Sequence, residues 1–147
     1  VKSKIRQLQR QMAERRMMQQ VPEADVVITN PTHFAVALKY DPAKGNAPVL
    51  LAKGGDFLAL KIREIAQQHK VMVLESPGLA RAVYFSTELD QEITAGLYLA
   101  VAQVLAYVYQ LKAALRGEGA MPAAEPVPEV PRELDPHFKK TAPEGAE

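Results

Sequence analysis

Cysteine is absent from the 147-residue chain, which removes disulfide frameworks, thiolate zinc sites and cysteine nucleophiles, and is compatible with a reducing compartment. Histidine is scarce. His33, His69 and His137 lie far apart in sequence, so a histidine metal cluster has no support and no metal or cofactor is expected. Gly54 and Gly55 lack both the further glycines and the Lys-Ser/Thr ending of a phosphate-binding loop. No apolar run reaches the roughly 18 residues of a membrane span; the longest candidate, residues 95–109, is interrupted by Gly96 and Gln103. The chain starts at Val1, and its basic start leads into polar residues rather than an apolar stretch, so neither an initiator Met nor a signal-peptide pattern is visible. It is expected to be a piece of something longer. Internal repeats are not evident.

The net charge of +1 hides an asymmetry. Residues 1–20 hold six Lys or Arg against Glu14 alone, residues 21–115 hold eight basic and nine acidic groups, and residues 116–147 hold four and seven. A basic arm, a near-neutral body and an acidic tail follow, and the length has room for one domain with a real core between such ends. The basic arm lacks interleaved aromatics, so a helical connector explains it more simply than nucleic-acid binding, and no nucleic-acid partner is expected.

Residues 2–18 contain no Gly or Pro, and Ile5, Leu8 and Met12 recur at helical spacing; this predicts a helix with a thin apolar stripe. It reads as a solvated connector, or, beside a preceding membrane segment, as a juxtamembrane helix whose cations gain about 1 kcal/mol each near anionic lipid. Val26, Val27 and Ile28 form a β-branched run, expected of a strand covered on both faces. Residues 34–40 alternate, with Phe34, Val36, Leu38 and Tyr40 on one face, and read as a second strand. Turn formers from Asp41 to Ala47 lead to a third, residues 49–53, ended by Gly54 and Gly55. Asp56 is a candidate cap for a helix with Leu58, Ile62, Ile65 and His69 on one face. Residues 71–74 read as a fourth, buried strand, and Ser76 as the cap of a short helix over 79–85. Leu97, Val101, Val104, Val108, Leu111 and Leu115 form one stripe of an amphipathic helix over 95–115. Beyond it, six of the eleven prolines fall among Glu and Ala, so residues from about 116 are expected to be disordered. The fold class is α/β: a small sheet of about four strands packed with about four helices, preceded by a basic connector helix.

Asn30-Pro31-Thr32-His33 sits between two of these strands. Asn and Pro are favoured at the first two positions of a β-turn, and an inert turn is the simplest account. Glycosylation is excluded by the Pro. A chemical account also fits. The Asn30 side-chain nitrogen can close a five-membered succinimide on its own carbonyl carbon, breaking the bond to Pro31. Intramolecular attack held in a near-attack geometry supplies about 7–11 kcal/mol. Proline has no N–H, so the competing deamidation route is closed, and its fixed φ restricts the turn. His33 can orient the loop or pass a proton to the departing nitrogen, or be a turn histidine without a role. Thr32 can hold the loop by bonding its own backbone. One event per molecule is a small demand, since a rate on the order of 10⁻³ per second corresponds to a barrier of about 21 kcal/mol. A cut there can leave the fold intact, because the strand ending at Asn30 stays in its sheet. Glu64 and Glu75 read as solvated charges, and nothing else converges as an enzyme site would.

The motif with its flanks Arg15-Arg16-Met17-Met18, Val21-Pro22 and residues 24–38, followed by Ala47-Pro48, Ala52-Lys53-Gly54, Ile62-Arg63-Glu64-Ile65 and Leu79-Ala80-Arg81-Ala82, resembles the FlhB/YscU/SpaS family of type III export-gate proteins over residues 1–115. The Arg-Arg-Met-Met flank and Pro-rich tail are more flagellar than injectisome-like. The resemblance implies residues 1–20 as a linker from a membrane domain, 21–115 as a self-cleaving cytoplasmic domain and 116–147 as a tail, at the cytoplasmic face of the bacterial inner membrane. It implies single-turnover cleavage, with Asn30 cyclising, Pro31 becoming a new N-terminus, and Thr32 and His33 supporting the loop. It further implies a part in switching export from rod and hook to filament-type substrates. The implied partners are other export-gate membrane components, a hook-length control protein and export substrates. The last are expected on an apolar patch of Ala47, Pro48, Ala102 and Leu105, although Leu105 reads equally as a core residue. An injectisome homologue with the same role, or a non-cleaving interaction module, are the alternatives.

Overall fold

The computed structural model describes residues 2–31, 33–44 and 47–135. Four strands form one sheet in the order β3-β2-β1-β4, with β1 Val26–Asn30, β2 Phe34–Lys39, β3 Val49–Gly55 and β4 Met72–Glu75. β1, β2 and β3 pair antiparallel in turn, and β4 joins β1 in parallel after a crossover through α2 Asp56–Gln68. α1 Lys2–Met18 precedes the sheet; α3 Pro77–Ser86 and α4 Tyr98–Leu115 follow it. The expected α/β class is what the chain forms, with four strands and four α-helices among the described residues.

Side-chain alternation along the strands decides which residue meets which layer. Val26, Ile28, Val36 and Leu38 join Leu79, Val83, Val101, Val104 and Val108 in a core beneath α3 and α4. Val27, Ala35, Ala37 and Ala52 face the other way, onto Ala59, Ile62 and Ala66 of α2. Burial on both faces accounts for the unbroken β-branched run of β1, and each fully buried Val or Ile stabilises the fold by roughly 1.5–3 kcal/mol. A register shift between Ala37 and Leu38 lets Leu50 and Ala52 serve opposite cores, which simple alternation would not allow.

The α2 side is built of small residues, so helix and sheet approach closely. A Cβ on Gly54 would stand 2.6 Å from the Leu58 Cβ. The strand does not stop at Lys53: Gly54 and Gly55 are its last two residues, paired with Ala35 and Phe34. Gly55 rather than Asp56 takes the capping position of α2, and no side-chain cap forms. Asp56 becomes the first helical residue with φ of +48°, a left-handed conformation that Asp tolerates better than most residues. His69 terminates α2 as an exposed residue instead of extending its apolar face. β4 starts at Met72, and Met72 and Val73 are only half-buried because β4 is an edge strand. Ser76 does precede α3 as its cap residue, but without a side-chain hydrogen bond.

A single 3-10 turn, Ala95–Leu97, leads into α4. Leu97, Val101, Val104 and Val108 are buried as expected, whereas Leu115 is 71% exposed because the helix runs past the sheet. The stretch Ala95–Leu115 is long and apolar enough to cross a membrane by length and composition, yet one of its faces is part of the core. The stripe on α1 is uncovered at Ile5, Leu8 and Met12, and only Met17 and Met18 reach the core. After Arg116 regular structure is sparse up to a 3-10 turn at Arg132–Leu134. There the chain returns to the domain, with Val130 and Leu134 packed on the α3 and α4 core. The disorder expected of residues 136–147 lies outside the described residues.

Candidate functional site

β1, β3 and β4 run in the same direction, so their C-terminal ends share one edge of the sheet. In open α/β sheets this is the edge that carries sites. The Asn30–His33 turn lies there, beside the starts of α2 and α3.

Asn30 pairs with Phe34 across the strands. Between them the His33 backbone N–H donates to the Asn30 carbonyl oxygen at 2.9 Å, which closes a four-residue β-turn with Pro31 at its second position. The turn expected from the dipeptide is therefore present. It is also held from outside: the Asp56 N–H donates to the His33 carbonyl at 2.9 Å, and the Ser76 N–H donates to the Thr29 carbonyl at 2.9 Å. Thr29 itself is buried, its hydroxyl 3.5 Å from the Leu74 carbonyl oxygen. Asn30 and Pro31 are half-buried and His33 is exposed. Thr32 lies outside the described residues.

Chemically, the hydrogen bond from His33 sits on the carbonyl whose carbon a cyclising Asn30 side chain would attack. A donor already in place stabilises the negative charge that develops on that oxygen without reorganisation. The exposed His33 ring is open to solvent for proton exchange.

The second candidate also assembles. Ala47 and Pro48 before β3, and Ala102 and Leu105 on α4, line one groove of about 660 Å³. The Ile93 N–H donates to the Pro48 carbonyl at 2.9 Å and fixes that wall. Leu105 is 4% exposed, so it is both a core residue and the floor of the groove. Tyr40, Glu92, Tyr98, Ala106 and Tyr109 complete the lining. Burial raises the Tyr109 pKa, helped by the Asp25 carboxylate and then by Tyr40. These further residues escaped the sequence reading, although Tyr98, Ala102, Leu105 and Tyr109 follow helical spacing one position round from the core stripe. Apolar walls with a few polar tips suit an apolar side chain of an extended peptide. Among the described residues no group of three His, Cys, Asp or Glu is placed to hold a metal ion.

Residues 1–108 match the family described as FlhB HrpN YscU SpaS Family. The chain is 58% identical over 112 residues to the flagellar biosynthetic protein FlhB of Bacillus subtilis, covering 76% of this chain and 31% of that protein. To FlhB of Salmonella typhimurium it is 54% identical over 136 residues, covering 92% and 35%. It thus spans about a third of the length of these relatives. The solved cytoplasmic domain of FlhB from Shewanella putrefaciens superposes with a TM-score of 0.79 at 48% identity, over 84% of this chain and 96% of that one. A solved EscU C-terminal domain carrying an Asn-to-Ala mutation gives a TM-score of 0.60 at 28% identity, over 63% and 92%.

Proposed function

The chain belongs to the FlhB/HrpN/YscU/SpaS family, and on that premise we propose that it is the cytoplasmic part of a flagellar export-gate protein that cuts its own backbone between Asn30 and Pro31. The observation that carries this reading is the His33 N–H bonded to the Asn30 carbonyl at 2.9 Å. It is a preorganised donor on the one oxygen that gains charge in the reaction.

The Asn30 side-chain nitrogen attacks the Asn30 carbonyl carbon and forms the ring bond. The bond from that carbon to the Pro31 nitrogen breaks. One proton leaves the attacking amide and one arrives on Pro31, which departs as a secondary amine, so the step is balanced by a proton relay that the exposed His33 imidazole can serve. Water then opens the succinimide. β1 remains paired with β2 from Val26 to Asn30 and with β4 from Val26 to Thr29, so the cut domain keeps its sheet. The event is a maturation step, once per molecule, and not turnover.

On this reading the domain works at the cytoplasmic face of the inner membrane, joined through its basic α1 to a membrane part, beside other export-gate components. The cut takes part in the change from rod and hook to filament-type substrates, in concert with a hook-length control protein. Export substrates dock in the groove of Ala47, Pro48, Ala102 and Leu105. Identity of 54% to a flagellar relative against 28% to the EscU domain favours the flagellar over the injectisome assignment.

Intact mass under denaturing conditions tests the cleavage. Fresh wild-type protein is expected to give fragments ending at Asn30 and starting at Pro31, and Asn30→Ala a single whole chain. A whole wild-type chain overturns the reading. For the groove, Ala102→Glu is expected to fold, since Ala102 is exposed, and to weaken binding of export substrates.

A further inference from the structure

Lys53 lies on β3, and its ammonium reaches over to the far end of α3. Its Nζ donates to the Tyr84 carbonyl at 2.9 Å and to the Thr87 carbonyl at 2.8 Å. The last carbonyls of a helix have no partner within it, and a cation there also meets the negative end of the helix dipole. The same ammonium stands 5.0 Å from the centre of the Tyr84 ring, within reach of a cation–π contact. One side chain thereby holds both the backbone and the ring at the C-terminal turn of α3.

Tyr84 and its neighbour Phe85 in turn hold Phe34. The Phe34 ring centre lies 4.6 Å from that of Tyr84 and 5.3 Å from that of Phe85, and Tyr84 and Phe85 are 4.9 Å apart, edge to face. These separations are in the favourable range for aromatic pairs. Phe34 follows His33 directly and opens β2 opposite Asn30. One peptide unit joins it to the residue whose N–H bonds the Asn30 carbonyl.

The opposite end of α3 acts on the other arm of the turn. Ser76, at its N-terminus, donates its N–H to the Thr29 carbonyl, one residue before Asn30. A rigid helix thus braces both strands that flank the Asn30–Pro31 bond, through Ser76 on β1 and through Tyr84 and Phe85 on β2. Its C-terminal end is seated on the sheet by Lys53.

We propose that Lys53 is a positioning residue for the Asn30–Pro31 cut: by fixing the C-terminal turn of α3 it seats the Phe34–Tyr84–Phe85 cluster and so aims the His33 N–H at the Asn30 carbonyl. This inference rests on the self-cleavage reading above and adds a residue distant from the bond. Lys53 touches neither reacting atom. Its effect is geometric, and misplacement of a reacting group costs large factors in rate even when the fold survives.

The test is a pulse-chase of the full chain made by cell-free translation, following loss of the uncut precursor on denaturing gels. Lys53→Met keeps the aliphatic stem and removes the ammonium; it is expected to slow cleavage about tenfold. Lys53→Arg, which restores a cation with several donors, is expected to recover most of that loss. Phe34→Leu leaves the capped helix end in place and is expected to slow the cut as well. Val104→Ala, in the core beneath α4 and away from the turn, serves as the stability control, with unfolding midpoints of all variants measured on the uncleavable Asn30→Ala background.

A wild-type rate in folded Lys53→Met, or in folded Phe34→Leu should Lys53→Met not fold, overturns the proposal. So does equal slowing by Lys53→Met and Val104→Ala at matched stability, which marks a merely structural role. A wild-type precursor that never cuts overturns the self-cleavage reading itself and this inference with it. That outcome is distinct, because wild type and Asn30→Ala then behave alike.

Discussion

Arg81 and Asp135, 54 residues apart in sequence, meet in a two-point ion pair: Nε and Nη2 of the guanidinium donate to the two carboxylate oxygens at 3.0 and 3.1 Å. The side chains are only 16% and 13% exposed, so water screens the pair less than a surface bridge. The contact fastens the far end of the proline-rich segment to α3, next to Leu134, whose methyl would clash at 2.8 Å with a Cβ on Gly96. Arg81→Ala is expected to lower stability by about 1–3 kcal/mol, since it strips a mostly buried carboxylate of its bidentate donor. It should also speed limited proteolysis at Arg132. Arg81→Lys should fall between, because an ammonium cannot reproduce the fork. An unchanged proteolysis rate in Arg81→Ala would count against the strap as a fastened element.

Pro31→Ala separates two fates of Asn30. An alanine brings back the N–H that proline lacks, and that nitrogen can attack the Asn30 side-chain carbonyl. Cleavage is expected to slow by about tenfold, with an uncut, deamidated chain accumulating instead. Mass spectrometry of the intact chain and its peptides checks both products. Clean cutting at the wild-type rate would show that proline's missing N–H is irrelevant.

Gly54→Ala tests the close approach of α2. The added Cβ meets the Leu58 Cβ at 2.6 Å and the Leu58 backbone at 3.2 Å, neither of which is a flexible side-chain end. A loss of about 1–3 kcal/mol is expected from the urea midpoint, as for other overpacked sites. Gly119→Ala, with nothing within 4 Å, should stay within about 0.5 kcal/mol of wild type.

Tyr109 supplies a pH dependence. Burial, then Asp25, then Tyr40 raise its pKa above the ordinary 10.0. The folded state therefore holds the phenolic proton more tightly than the unfolded state. The resulting stabilisation is complete below pH 10 and is lost as pH rises through the folded-state value. Thermal unfolding of Tyr109→Phe is expected to fall less steeply with alkaline pH than that of wild type. Parallel curves would refute the assignment.

Much of the fold was legible from periodicity. The run Val26 to Ile28, the alternation from Phe34 to Leu38 and the stripe Leu97 to Val108 each fell in the element and on the face expected. The misses share a cause. Gly54 looks like the residue after a strand's end until Leu58 is seen to need the space of a Cβ. Met72 and Val73 look fully buried until β4 is placed at the sheet edge. Of the candidate site, the turn of Asn30, Pro31 and His33 was legible because those residues lie within one short stretch of sequence. Lys53, Phe34, Tyr84 and Phe85 were not, because nothing local links a lysine on one strand to an aromatic pair on a helix 31 residues later.

From sequence alone came the self-cleavage proposal, since cyclisation of Asn30 onto its own carbonyl would be a covalent property of two adjacent residues. The presence and order of its main helices and strands came the same way, since hydrophobic period is local. Tertiary structure alone added Tyr40, Glu92, Tyr98 and Tyr109 to the groove, because residues far apart in sequence meet there only once the chain is folded. It alone placed Ser76 and Phe34 on either side of the turn, and bound Arg81 to Asp135. Those relations depend on long-range packing of the chain, which no short window of residues contains.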